Sequence, residues 1–245
     1  MNFLKKNFGW IIVAILASLP LLVIFKMINI DFSNGLSVSF AENAVGNGKT
    51  TVEMLYHVSG EFAIRWMTAV LTCTPVFIIF GINNLFVRQA MGIATAIWSL
   101  IHFAIFIAAE GFLETFSQVN YVLGFIAILI LIPLLFTSNR KSMKRLKKNW
   151  KKLQSLAYVA VLLSLIHVAI LDKTWMIYAV IVGLGFIIRI PVVKNKFVIF
   201  RKNKKYKKQN PGSKLKTAVT TPPSKLKKGS KAAKRRKSFC ARSKS

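Results

Sequence analysis

Hydrophobic residues in this chain fall into six long runs that are separated by shorter polar stretches. The runs cover residues 8–28, 58–80, 89–109, 119–136, 154–171 and 174–193. A helix needs about 20 apolar residues to cross the hydrocarbon of a bilayer, and each run is close to that length. The pattern predicts an all-α fold, a six-helix transmembrane bundle over residues 1–193.

The composition agrees with a membrane protein and excludes several classes of enzyme. Apolar residues make up 54% of the 245 residues and the mean hydropathy is +0.50, which is too apolar for a soluble domain of this size. The two cysteines, Cys73 and Cys240, lie in an apolar run and a basic tail, so no disulfide framework is expected. No Walker A, GxGxxG, HExxH or GxSxG motif occurs in a suitable context.

Charge predicts the orientation of the bundle. Lys5 and Lys6 precede the first run, Arg88 precedes the third, and Arg140 opens a strongly basic loop at 137–152. With six spans these positions share one side, which the positive-inside rule assigns to the cytoplasm of a multi-pass cell-membrane protein, together with both termini. The acidic residues all fall on the other side, at Asp31, Glu42, Glu53, Glu61, Glu110, Glu114 and Asp172.

The last 52 residues form a second region, 194–245, with 20 Lys or Arg and no acid. Such a composition cannot bury a core, so we expect a disordered basic tail on the cytoplasmic side. Anionic lipid headgroups are the expected partner. Nucleic acid is the less favoured alternative, because no aromatic platform or folded module accompanies the charge.

Only three histidines occur, and two of them lie deep in apolar runs. His102 and His167 both lie on runs that cross from the cytoplasmic side outwards, 14 residues beyond Arg88 and 13 beyond Gln154. These separations correspond to about 20 Å of helix, so both side chains lie in the outer half of the bundle at similar depth. Two neutral imidazoles at one depth are what the iron of a six-coordinate haem requires. The alternative is a pair of interior histidines that only form hydrogen bonds.

His57 and Arg65, at the outer part of the second run, are candidates for contacts with the edge of a haem. Arg65 either extends to the membrane surface or pairs with a haem propionate, and the two interpretations are equally favoured. His57 is shallow. It is interpreted as an interfacial residue or as one that lies near the haem without binding the iron.

Three stretches carry a resemblance to a known family: HVSGEFAIRWMTAVLTCTP at 57–75, FVRQAMGIATAIWSLIHF at 86–103, and LGFIAILILIPLLFTSNRKSMKRLKKNWKKLQSLAYVAVLLSLIH at 123–167. They resemble the ferric-reductase-like transmembrane family, and within it the haem-binding membrane subunits of bacterial methionine-sulfoxide reductase systems. The resemblance implies one haem b held by His102 and His167, with His57 matching a further family histidine.

The resemblance also shows where the chain departs from the family. Gln154 stands where the family has another histidine, and Arg88 lies at the depth of a second histidine in relatives with two haems. An inner haem with two histidine ligands is therefore not expected. We considered a flavin such as FMN in its place, with its phosphate near Arg88, Arg140 or the lysines of 141–152. The positive-inside rule explains the same charges without a flavin.

The expected function is electron transfer from a cytoplasmic flavin reductase or a quinone, through haem, to a soluble extracytoplasmic reductase. A molybdenum-containing methionine-sulfoxide reductase is the acceptor that the resemblance implies. Two alternatives stay open: a self-sufficient transmembrane ferric or quinone reductase, and a non-catalytic membrane scaffold or transporter without haem.

Overall fold

The computed structural model describes residues 2–33, 37–41, 50–82, 85–171, 175–209, 211 and 226–242. The helices are α1 Asn2–Ser18, α2 Leu21–Met27, α3 Thr51–Phe80, α4 Leu85–Glu110, α5 Val119–Thr137, α6 Arg140–Leu146, α7 Lys148–Gln154, α8 Ala157–Leu171, α9 Trp175–Arg189, α10 Pro191–Gln209 and α11 Lys231–Arg242. A 3₁₀ turn, Leu113–Phe116, joins α4 to α5, and two short strands, β1 Ile28–Asp31 and β2 Ser37–Phe40, lie between α2 and α3.

The all-α architecture with membrane-spanning helices is confirmed. Five stretches are long and apolar enough to cross a membrane: Asn7–Met27, Thr51–Phe80, Leu85–Glu110, Val119–Thr137 and Lys148–Leu171. A sixth is obtained when the consecutive helices α9 and α10 are counted as one span. The described residues thus carry five or six candidate spans, in agreement with the number of apolar runs.

The first run is broken at Pro20, which separates α1 from α2. Proline has no N–H and disrupts helical hydrogen bonding around it. The indole Nε1 of the buried Trp98 on α4 donates to the carbonyl of Ala17, 3.0 Å away, and so provides a partner for a carbonyl just before the break. This bond gives a main-chain carbonyl of the interrupted apolar helix a partner within the protein, as a membrane-spanning segment requires.

Helix α3 begins at Thr51, seven residues earlier than the expected start at 58. The Thr50 backbone N–H donates to the Glu53 carboxylate at 2.8 Å, and the Glu53 N–H donates to the Thr50 hydroxyl at 3.2 Å. This reciprocal pair is a capping box, which satisfies N–H groups that a helix start leaves without partners. The apolar run did not reveal this capping box. Because α3 begins at Thr51, His57 lies within the helix and not at its start.

The loop between α2 and α3 contains an antiparallel pair of strands, with Ile28 opposite Phe40 and Asp31 opposite Ser37. Part of this loop, 34–36 and 42–49, lies outside the described residues, including the predicted acidic position Glu42. The Ser33 N–H donates to the Asp31 carboxylate at 2.8 Å, and this bond lowers the pKa of that carboxyl. The hydropathy pattern assigns no element between the first two apolar runs, so the strand pair is a feature that the structure adds.

The chain divides into two compact units. One contains Met1–Thr74 with Asn83–Phe186, and the other contains Pro75–Ile82 with Ile187–Ser245. Within the first unit, small and branched side chains pack at the centre of α3, α4, α5, α8 and α9. The buried members of this cluster are Met67, Leu71, Ala96, Leu131, Leu134, Ala160, Val161 and Val182. The most extensive helix pairing is between α5 and α8, where Ala127 and the fully buried Ala160 are small enough to permit close approach.

The first unit has two ends that differ in charge. At the acidic end α3 and α5 begin while α4 and α8 end, and the described acids there are Glu53, Glu61, Glu110 and Glu114. At the basic end α4 begins and α5 ends, next to the Lys- and Arg-rich helices α6 and α7.

The second unit includes part of the predicted disordered tail. Residues Pro191–Gln209 form one helix across the expected boundary at 193/194, and Lys231–Arg242 form another, while 212–225 lie outside the described residues. The Arg201 guanidinium donates to the carbonyls of Phe77 and Ile78 at 2.8 and 3.0 Å. It caps the C-terminal end of α3, where Gly81 follows with φ +76°. The helical segments are a difference from the expectation of disorder, and the assignment of 194–245 as a separate functional region stays a prediction.

Candidate functional site

His102 on α4 and His167 on α8 line the same cavity at the acidic end of the first unit. The cavity has a volume of about 290 Å³ and is also lined by α3, α5 and the 3₁₀ turn. The centroids of the two imidazole rings are 6.5 Å apart, and the ring planes are inclined by 77°. The two deep histidines selected from sequence are thus neighbours across a shared space.

The His102 imidazole is oriented by Ser59, a fully buried residue of α3. Its Nδ1 lies 2.9 Å from the Ser59 hydroxyl oxygen, which in turn lies 2.6 Å from the carbonyl of Leu55. A carbonyl only accepts, so the Ser59 hydroxyl donates to Leu55 and accepts from His102. Nδ1 of His102 therefore carries the proton, and Nε2 keeps its lone pair for a ligand role.

The His167 imidazole is oriented by backbone instead. Its Nδ1 lies 2.6 Å from the carbonyl oxygen of Asn120, in the first turn of α5. Because that oxygen can only accept, Nδ1 of His167 is also the protonated nitrogen and Nε2 is the one with a free lone pair. Both imidazoles therefore have the tautomer that a metal-binding histidine needs.

Each imidazole lies against a glycine of a neighbouring helix. A Cβ at Gly60 on α3 would lie 3.2 Å from Cε1 of His102, and a Cβ at Gly124 on α5 would lie 3.1 Å from Nδ1 of His167. Both distances are shorter than normal carbon contacts of about 3.5–4 Å. Gly60, next to Ser59, therefore leaves room for the His102 ring, and Gly124, one turn after Asn120, leaves room for the His167 ring.

The donor set fits a haem. A bond between a metal and an imidazole nitrogen is about 2 Å, so two imidazoles on one metal have ring centroids roughly 6 Å apart, close to the observed spacing. Within the described ranges, no group of three or more His, Cys, Asp or Glu side chains could hold a metal ion unaided. A haem iron needs only axial ligands from the protein, because the porphyrin supplies the other four nitrogens.

Arg65 has a protein partner at the acidic end. Its guanidinium lies 2.8 Å from the Glu61 carboxylate, and the Tyr178 hydroxyl donates to the same carboxylate at 2.7 Å. The Arg65 side chain is 60% exposed and Glu61 only 15%. Arg65 therefore extends towards the surface, and its contact with a haem propionate stays a prediction. His57 is exposed and lines the cavity, so a role beside the haem also stays a prediction.

The arginines considered for a flavin phosphate lie at the basic end, away from the cavity lining. Arg88 donates to the Thr74 hydroxyl over 3.4 Å, and the Arg140 guanidinium lies 5.0 Å from the centroid of the Phe86 ring. Both side chains are exposed. Neither observation supports a bound flavin, and the positive-inside rule remains sufficient to explain these charges.

Sequence reasoning missed the residues that surround the imidazoles: Ser59, Gly60, Glu61, Asn120 and Gly124. Glycines inside apolar helices are a recognised sign of close approach, so Gly60 and Gly124 carried a usable signal. Ser59 and Asn120 carried none, because sequence does not reveal which face of one helix meets a particular ring on another.

Comparison with known proteins identifies the family of the chain. Residues 59–165 match the family model described as ferric reductase like transmembrane component. The protein-methionine-sulfoxide reductase heme-binding subunit MsrQ of Brucella anthropi is 31% identical over 157 residues, which cover 59% of this chain and 71% of the relative. The subunit of the same name from Brucella ovis is 29% identical over 147 residues, covering 56% and 67%.

No solved structure matches the chain. The names of the relatives refer to haem and not to a flavin, so the haem interpretation is supported and the flavin interpretation is not. The matched region contains α4 and α5 entire and most of α3 and α8, and these are the helices that surround the cavity. The chain is a multi-pass membrane protein and belongs to the ferric reductase-like transmembrane family.

Proposed function

We propose that this protein is the haem-binding electron-transfer subunit of a membrane oxidoreductase, with one haem b held by His102 and His167. The observation that carries the proposal is the pair of imidazoles on one cavity, each with Nδ1 donating to a protein acceptor and Nε2 left unprotonated. The haem-binding subunits among its relatives support the same assignment.

Held by His102 and His167, a haem would supply one-electron transfer and no site for oxygen or a substrate. The chain contributes binding and orientation. Ser59 and the Asn120 carbonyl hold the Nδ1 protons and fix the ring directions. Met67 and Leu131 line the cavity towards the basic end, and their packing in the core excludes water from that side of the cavity.

We propose that electrons enter from the cytoplasm at the basic end and leave at the acidic end on the opposite side of the membrane. The electron donor is a membrane quinone or a cytoplasmic flavin reductase, and the acceptor is a soluble extracytoplasmic reductase. Since the relatives are named as subunits of a protein-methionine-sulfoxide reductase, an enzyme of that class is the proposed acceptor. A reporter that is active only in the cytoplasm should be active when it is fused to the C-terminus. An inactive fusion would contradict the proposed orientation.

The first experiment is a dithionite-reduced-minus-oxidised visible spectrum of the detergent-purified chain, with haem quantified per polypeptide. A low-spin b-type spectrum with about one haem per chain is expected from two imidazole ligands. A chain from haem-sufficient cells that contains no haem would contradict the proposal and leave a membrane scaffold as the better description. Direct reduction of ferric chelates by quinol, without a partner, would instead indicate a self-sufficient reductase.

We propose that the basic tail contacts anionic lipid headgroups. The lysines and arginines of α10 are mostly exposed, and no acid occurs after residue 193. A peptide of residues 191–245 should bind vesicles that contain phosphatidylglycerol and release them as salt is raised. Tighter binding to RNA than to such vesicles at physiological salt would contradict the assignment.

A further inference from the structure

One residue of the cavity lining, Thr115, has a buried hydroxyl with no hydrogen-bond partner in the described part of the chain. Thr115 lies in the 3₁₀ turn Leu113–Phe116, is only 1% exposed, and lines the cavity that His102 and His167 share. Among the described residues, no atom accepts from or donates to its Oγ1. A buried polar group without a partner is destabilising, and valine would fill the same volume without that loss. A hydroxyl at this position therefore points to a ligand that uses it.

The cavity is polar at this end and apolar at the other. Thr115 lies in the connection between the end of α4 and the start of α5, where the Tyr56 hydroxyl donates to the Glu110 carboxylate at 3.2 Å. Towards the basic end the lining is made by Met67, Ile128 and Leu131, which are all buried. A flat ligand with one charged edge and one apolar edge would therefore place its charged edge at the connection.

A haem is such a ligand, because its two carboxylates lie on one edge and its opposite edge is hydrocarbon. Resting on the haem assignment above, we propose that the Thr115 hydroxyl donates a hydrogen bond to a haem carboxylate. Two other groups are less suitable for this contact. Glu61 lines the same cavity but would repel a carboxylate, and Arg65 is already paired with Glu61 and is 60% exposed.

The test compares haem with haem dimethyl ester, in which both carboxylates are capped and uncharged. Full-length protein from haem-depleted cells is titrated with each compound, and dissociation constants are read from the visible spectrum. Thr115→Val should weaken haem binding roughly tenfold, as expected for a lost hydrogen bond to a charged group, and change ester binding by less than about twofold. Thr115→Ser keeps the hydroxyl and should bind both compounds like the wild type.

Thr68→Val is the matched control. Thr68 is also buried with a hydroxyl that has no partner among the described residues, but it does not line the cavity. This variant should leave both dissociation constants unchanged. If Thr115→Val weakens haem and ester equally, or changes neither, the hydroxyl does not bind a carboxylate and the inference is overturned.

A measurement on the wild type keeps the inference testable even if Thr115→Val fails to fold. The unmodified chain should bind haem roughly tenfold or more tightly than the ester, because only haem offers the charged acceptor. Equal affinities would overturn the Thr115 assignment while leaving the haem assignment intact. A wild-type chain that takes up neither compound would overturn both.

Discussion

Helices α4 and α5 form an open cavity with α8 at the acidic end and a closed contact with α7 at the basic end. At the acidic end two imidazoles face a cavity of about 290 Å³. At the basic end polar side chains bind each other and the backbone. The Gln154 amide donates to the Thr137 hydroxyl at 3.1 Å, and the Gln89 amide donates to the Ser138 carbonyl at 2.6 Å.

A small number of residues close the basic end, while the acidic end keeps its cavity. The indole Nε1 of Trp150 donates to the Thr137 carbonyl at 2.9 Å, so α7 closes over the end of α5. Gln154, the last residue of α7, uses its hydrogen bonds to hold that helix to α5. An amide satisfied in this way stabilises the contact and has no lone pair suited to iron. One haem per chain is the expected consequence.

The largest effect is expected from removing either imidazole. His102→Ala and His167→Ala should each reduce haem from about one per chain to nearly none, because one remaining axial ligand does not hold haem firmly in a membrane cavity. The measurement is haem content by pyridine haemochrome relative to polypeptide. His57→Ala is the control, since it should retain haem, and full occupancy in either deep variant would contradict the ligand assignment.

A smaller loss is expected when the room beside an imidazole is filled. Gly124→Ala places a methyl group 3.1 Å from Nδ1 of His167 and should force the ring away from the Asn120 carbonyl. We expect haem affinity to fall by about tenfold or more, the range seen when the support of a metal ligand is disturbed. Gly60→Ala should act in the same direction on His102.

Gly183→Ala on α9 is the matched control, because a Cβ there meets nothing within 4 Å. Alanine is the better helix former, so this variant should keep its haem and be as stable as the wild type or slightly more so. Equal haem affinity in the Gly124 and Gly183 variants would contradict this expectation, because it would show that the added methyl group at position 124 does not displace the His167 ring.

A change in redox potential with little haem loss is expected at Ser59. Ser59→Ala removes the acceptor of the His102 Nδ1 proton, which makes the imidazole a weaker electron donor to the iron. The haem midpoint potential should therefore rise, as measured by redox titration, and affinity should fall by up to about tenfold. Ser99→Ala removes another hydroxyl from the cavity without disturbing either Nδ1 contact, and an equal shift there would contradict the role given to Ser59.

The smallest effect is expected at the basic end. Gln154→Leu removes the bonds to Thr137 and Leu134, but both acceptors keep other contacts, so the free energy of unfolding should fall by only about 1 kcal/mol. Thermal melting of the purified protein measures this change. Haem content should be unaffected, and a loss of haem would mean that the two ends are not independent.

Much of the architecture could be predicted from sequence, because it depends on local properties. The lengths of the apolar runs indicated the spans, and counting residues from Arg88 and Gln154 placed His102 and His167 at matching depth. The start of α3 was predicted too late, since the hydropathy pattern took no account of the Thr50–Glu53 capping box. The carbonyl just before the break at Pro20 accepts a bond from Trp98, which is distant in sequence and so was not predicted.

The surroundings of the imidazoles were less accessible to prediction. Ser59 and Asn120 belong to helices other than those of the histidines they hold, so their role depends on the rotation of each helix about its axis. Arg65 is interpreted from sequence as either a surface residue or a haem contact. Its pairing with Glu61 has the i, i+4 spacing of a helical ion pair and was accessible to prediction, whereas the Tyr178 contact with the same carboxylate was not. Apolar periodicity carries little information on such rotations when a helix is hydrophobic on all sides.

The acceptors on the two imidazoles differ in how they respond to genetic change. The Ser59 hydroxyl is encoded by its codon, so mutation can remove it, replace it or strengthen it as an acceptor. The Asn120 carbonyl belongs to the main chain and is present whatever residue is encoded there. A mutational library that aims to shift the haem potential would therefore find its variation at position 59, while the His167 side would stay constant through the same library.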